Sequence, residues 1–322
     1  MLARQRIASI LIVAVVIAAG ASALAQDYPA RPVRILTGPP ATMMDIVGRQ
    51  LAQRLGEQWG RPVAMENRGS LGVPPTLTAQ AAPDGYTLLI SDSTMLSVRP
   101  SLYRSLTYDP AKDFSPITLM ASSPQLLVAH PSVPAANLDE FVAYAKRQPH
   151  GVDFANAGPA TASHLTSELF RQATGINVVP VNYKGGGAAL MSIVGGETKA
   201  GFNLMFLALP HVKAGRVKAY AVTSGKRFPD APQIPTMAEA GISAFETTYW
   251  FGLLAPARTP PEPIRRLNRD AVGVLQSSGM RTVLLEQGAE PVASTPEAFD
   301  AFIRSETVRF RKVIELAGIK PE

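Results

Sequence analysis

The chain contains no cysteine. That excludes disulfides, thiolate zinc sites, cysteine nucleophiles and a lipid-bearing N-terminal cysteine. Histidine is scarce: His130, His150, His164 and His211 are the whole supply, and none makes an HExxH or a close pair. Zinc hydrolysis therefore has no support in the sequence, and no metal is expected. Basic residues never run longer than two, so the clustered patch that a nucleic acid needs is missing and no nucleic-acid partner is expected. The GxSxG elbow, the GxxxxGK[ST] loop and a strand-borne GxGxxG are all absent. Gly185-Gly186-Gly187 reads as a turn and not as a phosphate cradle. Asp153 and Glu168 are dispersed carboxylates of the kind that usually lie at surfaces or helix caps. No catalytic residue and no cofactor are expected, and the chain is read as a non-enzyme.

One long apolar run exists, and it is at the N-terminus. Arg4 and Arg6 precede an uncharged apolar stretch over 7–19, and Ala23-Leu24-Ala25 follows as a small-x-small triplet. This is the pattern of a secretory signal peptide over 1–25, cleaved after Ala25, and it points to the periplasm. No later stretch reaches membrane length without charge or proline. The length suggests about two domains. The formal net charge is +6, or +4 once Arg4 and Arg6 are removed. A mild positive field of that sign would help to collect anions.

Strand-like and helix-like segments alternate. Residues 32–37, 62–66, 86–90 and 152–156 read as strands. Helices are expected over about 45–59 and 163–174, and from 296 with Thr295 as N-cap. Residues 116–130 and 247–255 are the candidate crossings between two units. Such alternation argues for an α/β fold with two mixed, mostly parallel sheets covered by helices.

Two strand-to-helix turns stand out. The first runs Thr37-Gly38-Pro39-Pro40-Ala41-Thr42-Met43-Met44, and the second runs Ala155-Asn156-Ala157-Gly158-Pro159-Ala160-Thr161-Ala162-Ser163-His164. Both are built from Gly, Pro and small residues and lead into a helix. A helix start presents unpaired N–H groups and partial positive charge, and small residues let an anion come close. Thr42, Thr161 and Ser163 would add hydroxyl donors. Each turn alone also fits an ordinary βα loop with a hydroxyl cap.

Ordered segments across nearly the whole mature chain then carry a family resemblance. They include Tyr28-Pro29-Ala30-Arg31-Pro32, Pro83-Asp84-Gly85-Tyr86-Thr87-Leu88-Leu89, Leu209-Pro210-His211-Val212-Lys213-Ala214-Gly215, Pro235-Thr236-Met237-Ala238-Glu239-Ala240-Gly241 and Trp250-Phe251-Gly252-Leu253-Leu254-Ala255-Pro256. The sequence resembles the Bug family of extracytoplasmic solute receptors, the binding subunits of tripartite tricarboxylate transporters. The resemblance implies a two-lobed, type II-like periplasmic-binding-protein fold joined by two hinge strands. The lobes would be 27–125 with 250–322, and 126–249. A small organic acid would bind between them in the manner of a Venus flytrap, with membrane transporter subunits as partners and the receptor itself a monomer.

Carried over residue by residue, the first carboxylate loop is Pro39, Pro40, Ala41, Thr42, Met43 and Met44. The second is Gly158, Pro159, Ala160, Thr161, Ser163 and His164. Ser91, Ser93 and Thr94 would also face the cleft. The family's first loop usually reads Pro-Gly-Gly-x-Thr-Asp, whereas here Ala41-Thr42-Met43-Met44 precede Asp45. The stretch Gly69-Ser70-Leu71-Gly72-Val73 is about two residues shorter than the family's, and Asn203 stands where an aspartate is common. Methionine fills irregular apolar space, so the changes point to a carboxylate with an apolar or aromatic body. The alternative class is a sensory receptor whose closed form docks onto a signalling protein.

Overall fold

The computed structural model describes residues 28–319, apart from positions 71, 104 and 244. The expected signal peptide over 1–25 and its expected cleavage point therefore lie outside the described residues.

The first part of the chain is β1 (Val33–Thr37), α1 (Met43–Trp59), β2 (Val63–Asn67), α2 (Val73–Ala79) and β3 (Thr87–Asp92). A π-helical turn (Thr94–Val98) and α3 (Arg99–Leu102) lead to the long strand β4 (Phe114–Ala129). Next come α4 (Leu138–Lys146), β5 (Val152–Asn156), α5 (Ala162–Thr174), β6 (Val178–Asn182), α6 (Gly186–Val194), β7 (Ala200–Leu204), α7 (Met205–Lys213) and β8 (Lys218–Val222). The chain returns through β9 (Thr248–Pro256) and ends with α8 (Pro261–Leu275), α9 (Ser278–Glu286), β10 (Glu290–Pro291) and α10 (Pro296–Leu316).

Two sheets share one strand. In the first, β1 lies parallel to β2 and β3, and β9 runs antiparallel to β3 and β4. In the second, β5 lies parallel to β6 and β7, while β4 runs antiparallel to β7 and β8. Strand β4 pairs with β9 as far as Pro124↔Thr248 and with β7 from Gln125↔Leu204 onward. The segments expected as crossings, 116–130 and 247–255, form β4 and β9, and of the two only β4 pairs with strands of both sheets.

Helix α1 begins two residues earlier than the periodicity predicts. Thr42 is extended (φ −84°, ψ 162°) and its Oγ1 accepts the Asp45 N–H, which makes it the N-cap. Met43 and Met44 are thus helical residues and not loop residues. Val47, Leu51 and Leu55 point inward at helical spacing and pack with Ile35, Leu88 and Ile90. Gly48 permits this close approach: a Cβ there would sit 2.7 Å from Met65 Cε and 2.8 Å from Ile90 Cδ1. The second sheet is covered by an aromatic core around Phe141, Phe154, Phe170 and Phe202. A third cluster joins α10 to α5: Leu165 packs with Phe310, Val313 and Ile314, and with Val98 and Leu102. Full burial of each such side chain contributes about 1.5–3 kcal/mol.

Candidate functional site

The starts of α1, α5 and α6 converge on a cavity of about 410 Å³. They lie beyond the carboxyl ends of β1, β5 and β6, where open α/β sheets place their ligands. Of the expected site residues, Ala41, Thr42, Met43, Thr94, Thr161, Ser163 and Asn203 line it.

The two turns are the same structure built twice. Ala41 and Ala160 both occupy the left-handed region, at φ 59° and 55°. That conformation costs an L-residue about 1–2 kcal/mol, and in each turn a hydrogen bond offsets it. The Ala41 N–H donates to Asp45 Oδ2 at 3.0 Å, and the Ala160 N–H donates to His164 Nδ1 at 2.9 Å. In each turn the threonine hydroxyl donates backwards: Thr42 to Pro39 O (3.1 Å) and Thr161 to Gly158 O (2.8 Å). Ser163 Oγ accepts the Ala157 N–H at 2.9 Å and lies 3.1 Å from Thr161 Oγ1. The hydroxyls expected to point at a ligand are therefore engaged in shaping the turns.

What differs is charge. The α1 start carries its own carboxylate. Asp45 is buried, which pushes its carboxyl up, but Asn67, Arg49 and the Ala41 N–H outweigh burial and hold it below the usual range. The first turn of α5 has no acidic residue and no side-chain cap. Its first helical bond is Leu165 N–H to Thr161 O (3.0 Å), so the N–H groups of Ala162, Ser163 and His164 precede the ladder. Helix α6 is likewise uncapped, with Gly185 at φ 102° and Gly186 on the cavity wall. The glycine run read as a turn is thus a third helix start.

Several expected residues do not line the cavity. Met44 is buried in the first-sheet core, because the early helix start turns it inward. Ser91 and Ser93 are buried at the end of β3, and only Thr94 reaches the wall. Pro40 and Pro159 face solvent, while Pro39 and Gly158 offer carbonyls to the threonines. Ala160 spends its N–H on His164, whose Nδ1 is turned back into the turn.

Sequence reasoning missed Tyr249, Gln125, Phe202, Phe206 and Leu207, all of which line the cavity. Tyr249 lies in β9, and its hydroxyl donates to Asp92 Oδ2 at 3.0 Å. Burial pushes the Asp92 carboxyl up, and burial beside Asp92 pushes the Tyr249 phenol up as well. Gln125 sits where β4 changes sheets and donates from Nε2 to Thr166 Oγ1 at 2.7 Å. The position before Trp250 and the handover point of the expected crossing strand were the available signals. Among the described residues no group of His, Asp and Glu is arranged to hold a metal, and no helix is long and apolar enough to cross a membrane.

His164 should make the second turn sensitive to acid. Burial lowers its pKa, with Glu168 opposing, and a protonated Nδ1 cannot accept from Ala160. The folded state then binds this proton less readily than the unfolded chain. Its contribution is complete above the unfolded value of ~6.5 and is lost as pH falls below it. Chemical denaturation of wild type and His164→Asn across pH 5–8 should show the smaller acid loss in the variant. Equal losses would remove His164 as the cause.

The family model described as tripartite tricarboxylate transporter family receptor matches residues 47–319. BugT of Bordetella pertussis is 36% identical over 300 residues, covering 92% of each chain. Among solved structures, R. palustris Rpa4515 with adipate has a TM-score of 0.81 at 31% identity, covering 92% of this chain and 100% of the other. MatC (Rpa3494) from Rhodopseudomonas palustris with bound malate has a TM-score of 0.74 at 30% identity, covering 89% and 100%. The shared fold is the two-lobed α/β fold of these periplasmic binding proteins. The chain belongs to the tripartite tricarboxylate transporter receptor family, and is a periplasmic solute-binding receptor and not an enzyme.

Proposed function

We propose that this receptor captures an organic carboxylate with an apolar or aromatic body and hands it to the membrane subunits of a tripartite transporter. It does so as a monomer, after export and cleavage behind Ala25. Its lobes are 27–125 with 250–322, and 126–249, with β4 and β9 as the hinges. The observation that carries the reading is the asymmetry of the matched turns. Asp45 already answers the positive end of α1, whereas the N–H groups of Ala162 and Ser163 precede the helical ladder of α5, whose first turn holds no acid. The ligand's carboxylate therefore goes to the second turn, where N–H donors to a charged oxygen are strongest. Its body lies against Met43, Phe206, Leu207 and Tyr249. Rpa4515 with adipate and MatC with malate support a carboxylate. Met43 alone, and not Met44, carries the methionine argument. Ligand favours the closed form and shifts the population towards it.

Calorimetry with aromatic monocarboxylates and malate tests this. Aromatic acids should bind more tightly than malate, and Met43→Ala should weaken them severalfold: Met43 is already 4% exposed, so the ligand's body gains van der Waals contact with it rather than drawing it out of water. Malate should change little, and saturating ligand should shrink the radius of gyration in solution scattering. Tight malate binding with no response to aromatic acids would sink the apolar half of the reading.

A further inference from the structure

Asn203 sits near the end of β7, opposite Leu126 of β4 in antiparallel register, and lines the cavity. It is 3% exposed, and its Nδ2 is buried without a hydrogen-bond partner among the described residues. A buried donor without an acceptor is costly, and a ligand in the cavity that Asn203 lines can supply one. Three other side-chain donors on the wall are already spent: Gln125 Nε2 donates to Thr166 Oγ1 and Ala162 O, the Tyr249 hydroxyl to Asp92, and the Thr161 hydroxyl to Gly158 O, so Asn203 Nδ2 is a donor left for a ligand oxygen.

The second observation is charge. None of the residues lining the cavity is Asp, Glu, Lys, Arg or His. The two carboxylates behind its wall are both occupied. Asp92 accepts from the Met95 N–H and Tyr249, and Asp45 accepts from the Ala41 N–H, Asn67 and Arg49. An ammonium group entering this cavity loses its water and gains no anion. An oxygen acceptor in the same place gains the Asn203 N–H.

We infer that Asn203 is a specificity-determining residue that reads a second oxygen on the ligand, and that the cavity rejects acids bearing an ammonium group. This rests on the carboxylate-receptor reading above. The substrate class narrows to non-amino acids with an oxo, hydroxyl or second carboxylate group. A family-typical aspartate at this position would offer an anion where Asn203 offers a donor.

Two matched series test it by calorimetry on the mature chain. One is hexanoate, adipate and 6-aminohexanoate. The other is 3-phenylpropanoate, phenylpyruvate and phenylalanine. In at least one series wild type should prefer the oxygen-bearing acid over its plain parent by about tenfold, the size of one good hydrogen bond. The ammonium-bearing acid should be the weakest in both. Asn203→Leu should abolish that preference while leaving the plain acid within about twofold. Asn203→Asp, which keeps the site polar should leucine disturb the fold, should weaken adipate further and improve 6-aminohexanoate. If Asn203→Leu lowers plain and oxygen-bearing acids alike, or wild type binds the amino acids as well as their parents, the inference falls and the receptor reading stands. If wild type binds no acid of either series, the receptor reading falls with it.

Discussion

Ala162→Pro should weaken every carboxylate ligand by about ten- to a hundredfold and leave the unliganded protein almost as stable as before. Ala162 is the first helical residue of α5, and its N–H precedes the helical ladder. Proline is well tolerated at this helix position, because the missing N–H has no intrahelical acceptor to lose. Proline also requires the preceding residue to be extended, and Thr161 already is, at φ −73° and ψ 165°. The substitution therefore deletes one donor at the cavity edge and leaves the helical ladder of α5 intact. Losing a hydrogen bond to a charged acceptor costs about 1.5–3 kcal/mol, which is the stated loss in affinity. The melting temperature should move by no more than about 2 °C, the scale of a benign surface change in a chain of this size. Wild-type affinity in this variant would mean that the carboxylate is held elsewhere. A large drop in melting temperature would mean that the turn depends on this N–H for its shape.

The architecture was legible because it rests on local signals. Val47, Leu51 and Leu55 announce a helix by spacing alone, Thr295 caps α10 as a threonine at that position should, and long apolar segments marked the strands β4 and β9. The site was half legible. Glycine, proline and hydroxyl residues flag a strand-to-helix turn, so Ala41, Thr42, Thr161 and Ser163 could be found from sequence. Cap geometry could not. A helix start two residues early buries both Met43 and Met44 in the first-sheet core and leaves only Met43 also on the cavity wall. The Asp45 and His164 roles depend on an i−4 bond to a left-handed alanine, which no residue pattern reveals. Tyr249, Phe206 and Leu207 come from segments far from either turn, and only the tertiary fold brings them together.

Phe202 and Phe206 are four residues apart on one cavity wall, yet truncating them should have opposite consequences. Phe202 is 1% exposed. Its ring lies 5.5 Å from Phe170 in an edge-on contact, 6.1 Å from Phe245 in a stack and 6.3 Å from Phe154. It belongs to the second-sheet core and only touches the cavity. Phe202→Ala leaves a void that close-packed neighbours cannot fill, and should cost about 3–5 kcal/mol. Phe206 is only half-buried, and it packs from α7 across to the first-sheet core. Phe206→Ala should cost about 1 kcal/mol or less in the unliganded protein. Its loss should appear in binding instead, because the ligand's body and the contact between the two sheets both lean on that ring. Denaturant midpoints and calorimetry on the two variants separate these effects. Phe202→Leu, which keeps most of the volume, should recover much of the lost stability. A stability loss under about 1 kcal/mol for Phe202→Ala would show that the aromatic core is loosely packed around the cavity. The wall could then yield to ligand, and the size of the bound acid would no longer be set by the resting cavity.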